Sequence, residues 1–144
     1  MRVAHHVVLI RTPGRGLVTI TQQVEGWLSR QRPVEGLLTL FIQHTSASLL
    51  IQENADPDVR TDLDRWLSRL VKDGDPIFEH TAEGPDDMPS HVRAALTQTQ
   101  LSIPVMDGKM VLGTWQGIYV FEHRTVGHMR KVVMQYLGET RGGP

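Results

Sequence analysis

The segment Leu37-Leu38-Thr39-Leu40-Phe41-Ile42-Gln43-His44 carries no formal charge and consists mostly of residues suited to a pleated surface, so it reads as a strand buried on at least one face. Such a strand needs a sheet around it and a further layer over it. Alternation places His44 on the face of Leu38, Leu40 and Ile42, which brings an imidazole out where the core gives way to a cleft. A chain of 144 residues, 40% of them apolar, is long enough for this, since a domain of that size buries roughly 70% of its unfolded surface. Cysteine is absent. No disulfide or thiolate site is available, and any metal must be held by nitrogen and oxygen.

The rest of the chain predicts an α+β fold of mostly antiparallel sheet with about three helices. Val3 to Arg11 alternates as a strand and Pro13 to Gly16 ends it in a turn. Val24, Trp27 and Leu28 recur at helical spacing from Thr21 onward, with Pro33 and Gly36 as terminators. Ser48 to Gln52 predicts a short strand. Asp56-Pro57-Asp58 is a helix start, because Asp56 can accept orphan amide hydrogens, Pro57 suits the first turn and Asp58 complements the dipole. Val59, Leu63, Trp66, Leu67 and Leu70 form its packing stripe, and Gly74 follows its last turn. An acidic loop, Pro76 to Pro89, leads to a helix from about Pro89 that presents Val92, Ala95 and Leu96 inward. Ser102 to Met106 and Met110 to Thr114 form a hairpin around Asp107-Gly108, and Gly117–His123 and Lys131–Leu137 add two strands. One domain is expected over 1–144, with about 138–144 frayed.

Function classes are narrowed by what the composition lacks. A net charge of -1 gives no field for a nucleic-acid backbone, no apolar run is long enough for a membrane span, and the start does not resemble a signal peptide. The expectation is a cytoplasmic protein without nucleic-acid or membrane partners.

Seven histidines stand at positions 5, 6, 44, 80, 91, 123 and 128, four of them in polar contexts: Gln43-His44-Thr45-Ser46, Glu79-His80-Thr81, Pro89-Ser90-His91 and Glu122-His123-Arg124. Three imidazoles on one ion leave a position open for water or substrate, as in catalytic zinc sites. Surface or satisfied core histidines are the commoner outcome for such spacing. The carboxylates of Glu83, Asp86 and Asp87 could orient a metal-bound imidazole, act as a base, or cap the following helix. Gly113 and Gly117 around Trp115 and Gln116 suggest a close backbone approach or a bulge. Arg124, Arg130 and Lys131 could hold phosphate or protect an edge strand. Ser46 and Ser48 lie near His44, but no nucleophile elbow accompanies them.

At these residues the chain resembles the YjbQ-like family. Gln43-His44-Thr45-Ser46-Ala47-Ser48, Glu53-Asn54-Ala55-Asp56-Pro57, His80, Glu83-Gly84-Pro85-Asp86-Asp87-Met88-Pro89-Ser90-His91, Leu112-Gly113-Thr114-Trp115-Gln116-Gly117 and Glu122-His123-Arg124 match its motifs in order. The resemblance implies a compact α+β fold, a homotrimer and a metal-associated histidine site. It also implies a secondary thiamine-phosphate synthase, a transferase that joins a hydroxymethylpyrimidine pyrophosphate to a thiazole phosphate with loss of pyrophosphate. Carried over by position, it implies His44, His80 and His91 as metal ligands, for zinc or for magnesium with a pyrophosphate substrate. His123, Asp87 and Glu122 are then the candidates for proton transfer, His123 alternatively a fourth ligand. Asn54, Asp62, Trp115, Gln116, Arg124 and Arg130 would line the pocket of a small phosphorylated metabolite. The same ligands would serve a metal-dependent hydrolase of a phosphorylated or acyl metabolite, or a non-catalytic module in which metal or an anion locks the oligomer.

Overall fold

Two antiparallel sheets stack on each other in the computed structural model, which describes residues 1–142. The larger sheet holds β1 (Arg2–Arg11), β8 (Met129–Thr140), β3 (Pro33–Ile42), β5 (Gln100–Met106) and β6 (Lys109–Met110), in that order. The smaller has the order β2 (Gly16–Thr19), β7 (Gln116–Glu122), β4 (Ala47–Glu53). Among the described residues there are three helices, α1 (Thr21–Arg30), α2 (Pro57–Leu70) and α3 (Asp87–Leu96).

Strand alternation explains the layers. Leu38, Leu40 and Ile42 of β3, Val132, Met134 and Tyr136 of β8, and Ile118 and Val120 of β7 share one core, which α1 joins through Val24, Trp27 and Leu28. The intervening residues of the small sheet point the other way: Phe121 packs with Leu67 and Val71 of the α2 region, and Leu50 and Val92 border that cluster. The small sheet is therefore covered on both faces. The outer face of the large sheet is left open by the described elements, and it exposes Val3, Val7 and Leu9 beside Leu37, Phe41 and Leu137.

The buried run, the α2 start and the last strands lie where periodicity places them. Asp56 caps α2 by accepting from the Asp58 amide at 2.9 Å. Several expectations are corrected. Pro33 and Gly36 do not close α1, which ends at Arg30. Both belong to β3, where a Cβ at Gly36 would meet the Leu137 carbonyl oxygen at 2.4 Å; glycine is there for close strand approach, not for stopping a helix. β2 pairs with β7 where only a return of the chain after the Pro13–Gly16 turn was expected, because four residues carry too little periodicity to be recognised. The second hairpin arm shrinks to Lys109–Met110. Trp66 and Leu70 are exposed although they lie on the α2 stripe, and Ala95 and Leu96 face outward on α3, which instead buries Pro89, Ser90 and Arg93. Residues 138–140 are not frayed but finish β8, paired with β1 or β3; residues 143–144 lie outside the described residues. No helix of the described chain is long and apolar enough to cross a membrane.

Candidate functional site

Asp87 and His91 lie four residues apart on α3, hence on one helix face, and His80 reaches them from the preceding loop. The Asp87 Oδ2 atom is 2.8 Å from His80 Nε2 and 3.1 Å from His91 Nε2, and the three potential ligand atoms lie within 4.8 Å of one another. Arg124 fixes the other Asp87 oxygen, donating from Nη1 to Oδ1 at 2.8 Å, and donates from Nε to Asp86 at 3.0 Å. Burial opposes ionisation of Asp87, but the bond to His80, with the nearby His91 and Arg124, outweighs it and holds the carboxyl below its ordinary range. Asp86 follows the same pattern: burial raises its pKa, and bonds from Arg124 and Thr125 bring it down to about 2.

The His91 ring is oriented by its own backbone contact. Its Nδ1 lies 2.8 Å from the Thr45 carbonyl oxygen, which can only accept, so Nδ1 carries a hydrogen. In the neutral ring Nε2 then presents a lone pair to a carboxylate oxygen. Two acceptors at 3.1 Å repel unless a proton or a cation lies between them. His80, Asp87 and His91 thus form a donor set of the kind that holds a divalent ion, with second-layer support from Thr45 and Arg124.

His44 is not part of that group. It emerges two residues beyond β3, on the expected face, and its Nε2 accepts from the Lys131 amide at 2.8 Å. Its Nδ1 faces the Arg130 guanidinium at 3.3 Å, a position hostile to a metal cation. Burial, then Arg130, depress its pKa. His44, Thr45, Ser46 and His91 nevertheless line one open cleft of about 910 Å³.

Glu122 and Arg130 close the end of the intersheet core. Glu122 is 0% exposed and takes bonds from both Nε and Nη2 of Arg130, from the Thr12 hydroxyl at 2.6 Å and from the Arg124 amide. Burial raises its pKa, and these bonds more than reverse the effect. With its oxygens so engaged, Glu122 positions Arg130 and is not placed to act as a base.

His123 lies on the opposite face of the small sheet and is also fully buried. Arg93 Nε approaches its Nδ1 at 3.3 Å, and Ser48 Oγ is 2.9 Å from its Nε2. A guanidinium only donates, so Nδ1 accepts and Nε2 holds the hydrogen and donates to Ser48. This direction leaves Ser48 unactivated as a nucleophile. Burial, followed by the charges of Arg93, Arg15 and Arg130, lowers the His123 pKa to about 3. The expected role as a fourth ligand or proton donor does not suit a ring with both nitrogens engaged in the interior. Alternation decided this, since Glu122 and His123 point to opposite sides of one sheet.

The other expected pocket residues lie elsewhere. The β4–β7 ladder runs from Ala47 opposite Glu122 to Glu53 opposite Gln116, about 20 Å at the usual rise per residue. Asn54, Trp115 and Gln116 sit beyond that far end; Asn54 Nδ2 donates to the Thr114 and Gln116 carbonyls, and Gln116 accepts from the Gly113 amide at 2.7 Å. Trp115 is 63% exposed. Gly117 keeps regular register, without a bulge, and admits Asn54 and Tyr119 close to its backbone. Asp62 is exposed on α2. Sequence reasoning missed Thr12 and Arg93, which have no local motif and become important only through partners 110 and 30 residues away.

Residues 5–139 match the profile of the family described as UPF0047 protein YjbQ-like. The chain is 43% identical to UPF0047 protein sll1880 of Synechocystis over 96% of this chain and 94% of that protein. It is 46% identical to UPF0047 protein YjbQ of Salmonella typhimurium, covering 87% and 91% respectively. Among solved structures, the conserved hypothetical protein TT1486 of Thermus thermophilus superposes with a TM-score of 0.81 at 32% identity, covering 92% of this chain and 99% of that one. Hypothetical protein APE1520 of Aeropyrum pernix superposes with a TM-score of 0.82 at 30% identity, covering 96% and 100%. The shared α+β architecture, the near-complete overlap and the profile match agree: the chain belongs to the YjbQ-like UPF0047 family.

Proposed function

We propose that this protein is a metal-dependent enzyme whose centre is the set His80, Asp87 and His91. The observation that carries the reading is the convergence of His80 Nε2, Asp87 Oδ2 and His91 Nε2 within 4.8 Å of one another, with His91 Nδ1 already engaged by the Thr45 carbonyl. Three protein donors leave a coordination position open, the mark of catalytic rather than structural sites. A divalent ion there, zinc by its nitrogen-rich donors, supplies Lewis acidity and charge that stabilise a phosphorylated leaving group. The chain's own residues orient it: Thr45 sets the His91 ring and Arg124 the Asp87 carboxylate.

The reaction proposed is the thiamine-phosphate synthase transfer implied by the family resemblance, supported by an open cleft large enough for a phosphorylated heterocycle. A hydrolase is the second reading, favoured by the exposed Glu83 carboxylate 3.9 Å from His80 Nε2, where it could serve as a base. A homotrimer belongs to the same proposal, supported by the uncovered apolar face of the large sheet; sedimentation equilibrium is expected to return about three chains per particle, and a monomer would count against it.

The decisive test is metal content followed by product. Chelator-stripped protein is expected to bind about one zinc per chain, and His91→Ala to lose that ion while keeping its far-ultraviolet circular dichroism. Unchanged zinc stoichiometry in the variant defeats the assignment. Metal-replete protein incubated with the pyrimidine and thiazole phosphates is expected to yield thiamine phosphate by mass spectrometry. Metal-dependent turnover of a phosphate ester without that product moves the reading to the hydrolase.

A further inference from the structure

The two imidazoles that meet at Asp87 open onto different hollows. His91 lines the cleft with His44, Thr45 and Ser46, whereas His80 lines a second pocket of about 340 Å³ within the loop that joins α2 to α3. Phe78, Pro85, Met88 and Pro89 form apolar walls of that pocket. Its volume lies at the lower end of the range for small-molecule sites, roughly 300–1,000 Å³.

Phe78 and Met88 are half-buried, yet neither belongs to the intersheet core or to the cluster around Phe121. What they surround is the pocket itself. The loop is anchored at both ends: Arg15 holds Asp73 through two bonds of 2.8 and 3.0 Å, and Arg124 donates to the Glu83 carbonyl at 3.0 Å. Across its neck the Gly74 amide donates to the Pro85 carbonyl at 3.0 Å. Gly74 and Gly84 adopt φ of +69° and +102°, the region in which glycine carries no steric cost. The walls therefore stand in place before a ligand arrives, which lowers the cost of binding.

The wall chemistry selects a ring. A methionine sulfur favours contact with an aromatic ring, and a phenylalanine ring favours an offset or edge-on aromatic partner. Asp75 also lines the pocket, its Oδ1 accepting from the Ile77 amide at 3.0 Å, and no lysine or arginine is among the lining residues. An anionic ring would meet that carboxylate without a compensating cation. We propose that this pocket is a subsite for an uncharged aromatic or heteroaromatic ring of the substrate, on the His80 side of the His80, Asp87 and His91 set. The charged remainder of the substrate then lies toward the His91 side. The assignment deepens the metal-centre reading by naming one substrate group, and rests on it only for where the reaction takes place.

Methyl-labelled methionine in the 144-residue chain, with and without added zinc, provides the test. The chain has six methionines, and loss of one signal in Met88→Leu identifies the Met88 methyl. A neutral ring, 2-methylpyrimidine, is expected to shift that signal saturably in either metal state. Tetrahydropyran, of similar size but not aromatic, and benzoate, aromatic but anionic, are expected to bind at least about threefold more weakly. Phe78→Leu keeps an apolar wall without a ring, so it is expected to bring 2-methylpyrimidine down to the level of tetrahydropyran. No saturable shift at Met88, tetrahydropyran or benzoate binding as tightly as 2-methylpyrimidine, or an unaltered preference in Phe78→Leu each overturns the proposal. Zinc bound without a ring response removes the subsite and leaves the metal centre, whereas a ring response in a chain with no zinc affinity does the reverse.

Discussion

Arg130→Met is expected to destabilise the protein by roughly 3–5 kcal/mol, the usual cost of removing one partner from a buried ion pair. Glu122 is fully buried and depends on Arg130 for two of its bonds. The methionine would leave a carboxylate in the intersheet core with the Thr12 hydroxyl and one backbone amide as its remaining partners. A loss of this size is a large part of the 5–15 kcal/mol typical of a folded domain. The loss arises mainly from the stranded charge, so Arg130→Met combined with Glu122→Leu is expected to recover much of it, as apolar replacements of buried pairs often do. Urea denaturation of the three proteins reads the effect directly. A single-variant loss below about 1 kcal/mol, the range of exposed pairs, would show that Glu122 is not isolated as the structure describes.

Acid should weaken the fold well above the range where carboxylates titrate. His123 has a folded pKa of about 3 against an ordinary value of 6.5. Between those values the unfolded chain binds a proton that the folded ring refuses. This contribution is fully present above about pH 6.5 and is lost as pH falls toward 3, at a slope approaching about 1.4 kcal/mol per pH unit. His44, also depressed by burial, acts in the same direction. Asp86 adds its own loss only lower, from its ordinary value of 3.8 down to about 2. His123→Gln provides the control: its amide can accept from Arg93 and donate to Ser48 as the neutral ring does, without titrating. Denaturation midpoints at pH 7, 6, 5 and 4 are expected to fall less steeply in His123→Gln than in the parent. Equal slopes would mean that the His123 ring is not held neutral.

Local chemistry made much of the framework legible. The uncharged run ending in His44, the Asp56-Pro57-Asp58 helix start and the alternation of the last strands each carry their own period or cap, and each forms within a few residues of its expected bounds. The features that failed were those whose meaning depends on a distant neighbour. Gly36 resembles a helix terminator until β8 packs against it, and Trp66, Leu70 and Leu96 have apolar side chains that none of the described elements covers. The histidine motifs pointed to polar chemistry, but not to which rings would meet.

Read alone, the sequence determined most of the elements and the absence of thiol chemistry, whereas the start of α3 at Asp87, two residues before the expected one, is what sets Asp87 and His91 as a pair on one helix face. Only tertiary structure decided that His80 joins that pair, that His44 is turned to Arg130 instead, and that His123 lies inside while Glu122 supports an ion pair on the other face. The reason is physical: side-chain periodicity sets which way a residue points, whereas the partner it meets is set by how sheets and loops far apart in the chain come to pack.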